Sequence, residues 1–156
     1  MGKKTILIRE NSFEKARNSV NKNKNKQIIF SSDNDDLNRK ILEKLPIDIL
    51  LINQLNRNDY SKQRNSGFNQ VLAKIAKKNK ITIGINLDEI ITSKGKQKSE
   101  IIARIKQNIK LCNKNKLKMQ FINLNEKNKR SPHGLKALGL VLKMPTWMTK
   151  VLDNDK

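Results

Sequence analysis

A single cysteine, Cys112, leaves the chain unable to form an internal disulfide, which removes the stapled secreted scaffolds and points to a reducing, cytoplasmic setting. A single histidine, His133, falls short of the paired imidazoles usual in catalytic zinc sites. With only six glycines, the three spaced glycines of a dinucleotide-binding turn occur nowhere after a strand, and SKGKQKS (93–99) lacks the glycine spacing of a phosphate-binding loop. One Trp and one Tyr are too few for the bulky apolar face of a membrane-surface helix or for a platform that stacks single-stranded bases. No apolar run approaches the roughly 20 residues of a membrane span. The opening MGKKTILIREN is too short and too soon charged for a secretory leader, and the β-branched run from Thr5 leaves no flexible arm for myristoylation at Gly2.

Acidic residues are also scarce: 14 Asp and Glu stand against 34 Lys and Arg, a formal charge of +20 over 156 residues. The length suits one domain, 1–156, with a real core. The charge exceeds what solubility needs and repels itself in the compact state, so an anionic partner is implied, nucleic acid before membrane. Asn-Lys alternation such as NKNKNK (21–26) is compatible with AT-rich coding, so the placement of the charges weighs more than their sum.

Strand and helix periods alternate five times. TILIR (5–9), QIIFSS (27–32), IDILLIN (47–53), ITIGINL (81–87) and KMQFINL (118–124) read as strands. The third is apolar enough to be buried on both faces. Between them lie helices: 12–22, capped by Ser12 with Phe13, Ala16 and Val20 on one side; 35–45, with Leu37, Ile41 and Leu45 in line; and 68–79, with Phe68, Val71, Leu72 and Ile75 toward the sheet. The helix at 99–112 aligns Ile101, Ile105 and Ile109 with Cys112, read as a small core residue. A helix at 131–143 has Ser131 as cap and Pro132 in its first turn, and 146–154 forms one more helical piece. This is an α/β pattern with a mainly parallel sheet, either doubly wound or an open barrel of five units, since a full eight-unit barrel takes about 250 residues. Ligands of such sheets meet the loops after the strand carboxyl ends, here 10–12, 32–35, 54–66, 88–98 and 125–131, the last three long, polar and basic.

Those loops show little chemistry. Asp88-Glu89 follows the fourth strand, where catalytic carboxylates can sit, but a polar loop or helix cap explains it better. DNDD (33–36) lacks the glycine and distal glutamate of a calcium loop, and helix capping accounts for it. The sole histidine would have to serve any nucleophilic triad, so an independent enzyme is disfavoured, as is a metal-dependent phosphoesterase, which needs several converging His and Asp ligands.

The stretch RNSGFNQVLAKIAKKNKITIGINL (64–87) instead concentrates cations. Lys74, Lys77 and Lys78 lie on the outer face of its helix, with Lys80 past the end; Arg57, Lys62 and Arg64 precede it. Lys94, Lys96 and Lys98 follow the next strand, and Arg104, Lys106 and Lys110 decorate the next helix. Lysines near a helix end answer the dipole, but this many uncompensated cations point to a phosphate-tracking surface, suited to the backbone and shape of folded RNA.

The same stretch resembles the archaeal ribonuclease P protein component 3 family, related to the thirty-kilodalton subunit of the eukaryotic enzyme. Gly67 to Lys74, the basic helix end and the strand with Gly84 carry the likeness, and NEKNKRSPHGLKALGLVLKMP (125–145) is a second matching block in the right order. The resemblance implies a TIM-barrel-like, PHP-like fold, here an open barrel lacking the first strands. It implies a non-catalytic, RNA-bound subunit of the enzyme that removes the 5′ leader of precursor tRNA. The RNA carries the catalysis and its magnesium, this chain binds no cofactor, and a small α/β protein subunit is its partner. Arg57, Lys74, Lys78 and Arg130 match basic places of the family pattern and are the expected RNA contacts, with Arg64 beside them. The chain departs from the family at Gln70, where archaeal relatives tend to have His, and at Asp88-Glu89, where they tend to have Arg-Pro. A general basic RNA-binding or ribosome-associated protein is the other reading.

Overall fold

The five β-branched runs build one parallel sheet from β1 (Thr5–Arg9), β2 (Gln27–Ser31), β3 (Ile49–Ile52), β4 (Thr82–Asn86) and β5 (Met119–Ile122). The computed structural model describes residues 2–153, so the last residue of the expected tail helix, Asn154, lies outside them. Among the described residues the helices are α1 (Phe13–Lys22), α2 (Asp35–Lys44), α3 (Gln70–Lys78), α4 (Leu87–Thr92), α5 (Gly95–Lys114), α6 (Pro132–Val141) and α7 (Thr146–Asp153).

Strand order decides between the two arrangements the sequence left open. It runs β1-β2-β3-β4-β5 without reversal, whereas a doubly wound sheet reverses at a switch point. The two faces also differ. One is covered by helices, whose Ala16, Ile41, Ala73, Ile105 and Cys112 pack on Phe30, Leu50, Ile83 and Met119. The other carries a cluster of strand residues alone: Leu7, Ile29, Ile49, Leu51 and Ile122. A sheet whose inner face closes on its own side chains is curved as in a barrel. The fold is therefore an open, TIM-barrel-like α/β sheet.

Gly84 makes that curvature possible. It sits opposite Leu51 and Gln120 in register, at the centre of the inner face. A Cβ there would stand 3.1 Å from Ile49 Cγ2, 3.2 Å from Leu51 Cδ1 and 3.3 Å from Ile122 Cγ1. Its hydrogen is what lets those three side chains converge.

Local signals set most helix starts. Ser12, Asn34, Asn69, Asn86 and Ser131 each accept a backbone N–H of the following turn. Two expectations fail. The segment 88–98 is not a loop: Asn86 caps the short α4, and α5 begins at Gly95, four residues before the expected start at Ser99. Val71 does not face the sheet; it is 52% exposed. Two small residues, Ala73 and Ala76, carry the close packing of α3 with Leu72, and this rotates Val71 outward beside Lys74 and Lys78.

The helix ends have an uncommon composition. Lys80, Lys116 and Lys143 follow the caps of α3, α5 and α6 with φ of 56°, 56° and 70°. The next N–H of each reaches back to a helix carbonyl: Ile81 to Ala76 at 2.9 Å, Leu117 to Cys112 at 2.8 Å, Met144 to Gly139 at 2.9 Å. This left-handed position usually takes glycine, and a side chain there costs about 1–2 kcal/mol.

Candidate nucleic-acid interface

At the carboxyl end of the sheet the loop 54–66 folds over the mouth and is pinned by two arginines. Arg57 Nη1 and Nη2 donate to the two carboxylate oxygens of Asp35, both at 2.9 Å, and its Nε donates to the Asn53 carbonyl at 2.6 Å. Its side chain is 10% exposed. Gly67, at φ +71°, packs against that guanidinium, and any side chain in its place would collide with it. Arg57, Asp35 and Gly67 thus form one clamp.

Arg104 does not decorate the surface of its helix, as its sequence position had suggested. It is 3% exposed and reaches from α5 into the same loop. It donates to Asp59 at 2.9 Å and to the carbonyls of Gln54 and Arg57 at 3.1 and 2.8 Å. This donor, with the Asn65 N–H and Arg64, holds the Asp59 carboxyl below its ordinary value against the opposing effect of burial.

The acidic pair Asp88-Glu89 is structural. Asp88 Oδ2 accepts the N–H groups of Leu124 and Asn125 at 2.8 and 3.2 Å, and its Oδ1 accepts Asn128 at 2.8 Å, bracing the turn after β5. Glu89 accepts the N–H groups of Gln54 and Leu55 at 2.7 and 3.2 Å, bracing the loop after β3. Burial pushes the Glu89 carboxyl above its ordinary value; the two N–H donors oppose this. Gln70 exchanges two amide hydrogen bonds with Asn115 at 3.0 and 3.1 Å and joins α3 to α5.

The resulting cleft, about 590 Å³, is lined by Arg9, Asp33, Asp35, Arg57, Glu89 and a set of asparagines. Acids outnumber cations in that lining, while Lys62, Arg64, Lys94, Lys96, Lys127, Lys129 and Arg130 of the surrounding loops are exposed outside it. His133 is exposed in the first turn of α6. Cys112 is fully buried in the core and its thiol is pushed up by desolvation, out of reach of reagents.

The expected RNA-contact residues are divided between two places. Arg57, Arg64 and Arg130 lie on loops after the carboxyl ends of β3 and β5. Arg57 is spent on Asp35; Arg64 is 49% exposed and 3.6 Å from Asp59; Arg130 is exposed and bonds only to the carbonyls of Lys127 and Lys129. Lys74 and Lys78 are exposed on the outer face of α3, which runs toward the opposite end of the sheet.

That opposite end is more basic than any motif showed. Lys4, Lys26 and Lys118 stand immediately before β1, β2 and β5, and Lys80 two residues before β4. Parallel pairing sets the β1 and β2 entries side by side, and likewise the β4 and β5 entries, with β3 between the two pairs. Lys77, Lys80, Lys116 and Lys118 line a cleft of about 390 Å³ over Ile81, Thr82 and Leu117. The repeated lysine before a strand was the sequence signal for this face, and it acquires meaning only once the strands are known to be parallel.

No protein-family model matches the chain. Over 115 residues it is 31% identical to ribonuclease P protein component 3 of Methanococcus maripaludis, covering 72% of this chain and 46% of that protein. The protein of the same name from Methanosarcina acetivorans is 33% identical over 110 residues, 69% of this chain and 43% of its own length. This chain is homologous to ribonuclease P protein component 3. The likeness to that family extends to 95% of the chain in the Methanocaldococcus jannaschii protein, at 26% identity over 153 residues and 63% of that protein's length. The chain spans about half the length of the first two relatives. A chain of an archaeal ribonuclease P with mature tRNA, solved by cryo-electron microscopy, has the same fold: TM-score 0.81 over 97% of this chain and 64% of that one, at 22% identity. Among the described residues no helix is long and apolar enough to cross a membrane.

Proposed function

We propose that this chain acts as an RNA-binding protein subunit of ribonuclease P and supports the catalytic RNA in removing the 5′ leader of precursor tRNA. The observation that carries the reading is the homology to component 3 proteins across the strand and helix units that hold the basic surface. The charge of +20 and the exposed Lys74, Lys78 and Arg130 supply the means of contact. In this reading the RNA performs the chemistry and holds the magnesium, the protein binds no cofactor, and a small α/β protein subunit binds alongside it in the cytoplasm. The isolated chain cleaves nothing.

Reconstitution tests it. The cognate ribonuclease P RNA and its candidate small partner subunit are assayed for precursor-tRNA cleavage with and without this chain. The expected result is cleavage at lower magnesium when the chain is present, lost on charge reversal at Lys78 or Arg130. Binding that recovers ribosomal RNA alone, with no effect on cleavage, would place the chain among general basic RNA-binding proteins instead.

A further inference from the structure

Eleven lysines gather where the strands begin and the helices end: Lys3, Lys4, Lys22, Lys24, Lys26, Lys77, Lys78, Lys80, Lys114, Lys116 and Lys118. All but Lys26 are exposed. Four helices, α1, α2, α3 and α5, end there, and each brings roughly half a negative charge, about −2 together. Dipole compensation therefore accounts for a minor part of the charge. It also fades beyond the last helical turn, and Lys24, Lys26, Lys80, Lys116 and Lys118 all lie past it.

Acids do not balance them. Two acids near this end are already engaged: Asp48, before β3, accepts the Ile28 N–H at 2.7 Å, and Glu43, in the last turn of α2, pairs with Arg39 at 3.1 Å. None of the eleven lysines makes an ion pair among the described residues.

The backbone adds a separate observation. Lys80 and Lys116, which line the cleft of about 390 Å³, both occupy the left-handed position after a helix, where glycine is the unstrained choice. Lysine at both places is unfavourable for the fold and favourable for a surface that needs charge. Lys77 Nζ donates to the Lys116 carbonyl at 2.9 Å and closes one wall.

We infer that this lysine face, at the strand amino ends and centred on Lys77, Lys80, Lys116 and Lys118, docks the phosphate backbone of a double-helical RNA segment. The inference rests on the RNA-subunit reading and adds to it a second face, at the end of the sheet opposite Arg130. Lysine is a point charge that follows phosphates without reading bases. Among the described residues no free ring is available there for base stacking: Trp147 lies under Lys116 Nζ at 5.7 Å and donates to Asn113 at 2.9 Å, and the exposed Tyr60 belongs to the loop at the other end.

The test uses the left-handed lysines. Lys80→Gly with Lys116→Gly removes two charges while relieving backbone strain, so the doubly substituted chain unfolds at the same or higher temperature. A control, Arg17→Gln with Lys40→Gln, removes two exposed charges on α1 and α2 that belong to neither the lysine face nor the loops after the strands. Binding to the cognate ribonuclease P RNA and to a perfect RNA duplex is measured against salt. The expected result is a log–log salt slope shallower by about 1.5 for the glycine pair on both RNAs, because each phosphate left without its lysine takes roughly 0.7–0.9 from the slope. The control should keep the wild-type slope. Equal losses from both pairs would mean diffuse charge and overturn the docking face alone, leaving the subunit reading in place. Preference of the face for a single-stranded oligouridylate over the duplex would also overturn it. Failure of the unmodified chain to bind either RNA would overturn the subunit reading and this inference with it.

Discussion

Asp59 and Glu89 anchor the two ends of one loop arrangement and respond to acid in opposite ways. Asp59 is held below its ordinary value by Arg104, so its contribution to stability is complete above the unfolded carboxylate range. That contribution is lost as pH falls through the lower, folded value. Glu89 is raised by burial, so its ionisation costs stability and protonation restores it as pH falls. Asp59→Asn isolates the first effect. Relative to the wild type it should unfold at lower urea near pH 7, and the gap should close in the acid range, below about pH 4. No gap at neutral pH would show that Arg104 is held by the Gln54 and Arg57 carbonyls alone. Asp88, Glu89 and Gln70 each satisfy backbone or amide partners on a neighbouring element, so their roles are in holding the mouth together.

Among the elements, β4 decides the curvature. Replacing Gly84 by a branched residue must push apart Ile49, Leu51 and Ile122. Gly84→Val should therefore destabilise by about 1–3 kcal/mol, the usual range for overpacking a tight interior. Gly134→Ala on α6, whose added Cβ meets only Ser131 Oγ at an ordinary 3.4 Å, should be neutral or stabilising by about 0.5–1 kcal/mol. Equal tolerance in urea titrations would mean that the inner face is looser than its geometry. The elements themselves were readable in the sequence because strand runs and helix spacing alternate cleanly, and Ser12 and Ser131 announced their helices. The choice between open barrel and doubly wound sheet was not readable from spacing. It depends on which face Leu7, Ile29, Leu51 and Ile122 meet, and period-two alternation is nearly silent in strands buried on both sides. Arg104 misled for a related reason: on a helix period an arginine counts as surface, and only the loop folding over it supplies the carbonyls that let it be buried. The basic face stayed hidden because its lysines are far apart in sequence: pairing of β1 with β2 is what sets Lys4 beside Lys26, and pairing of β4 with β5 is what brings Lys80 and Lys118 together.

Over the molecule as a whole, repulsion should outweigh attraction. The exposed ion pairs, such as Arg9–Asp33 at 4.0 Å and Lys96–Glu100 at 3.9 Å, are worth roughly 0–1 kcal/mol each. The two better-buried ones, Arg57–Asp35 and Arg104–Asp59, are short and poorly screened. Against them stands a formal charge of +20, largely unpaired and concentrated at one end of the sheet. Raising the ionic strength from about 0.01 to 0.1 M shortens the screening length from about 30 to 10 Å, which damps lysine–lysine repulsion across that face while leaving the two clamps nearly intact. Stability to urea should therefore rise with salt over this range. A polyanion that binds only the folded chain should raise it further at equal ionic strength, because binding adds to screening. Substituting Lys80 and Lys116 by glycine should reduce both responses together, since the same charges repel one another and hold the ligand. A fall in stability with added salt would mean that surface ion pairs hold this fold together, and the lysine face would then carry no unspent repulsion for an anionic partner to relieve.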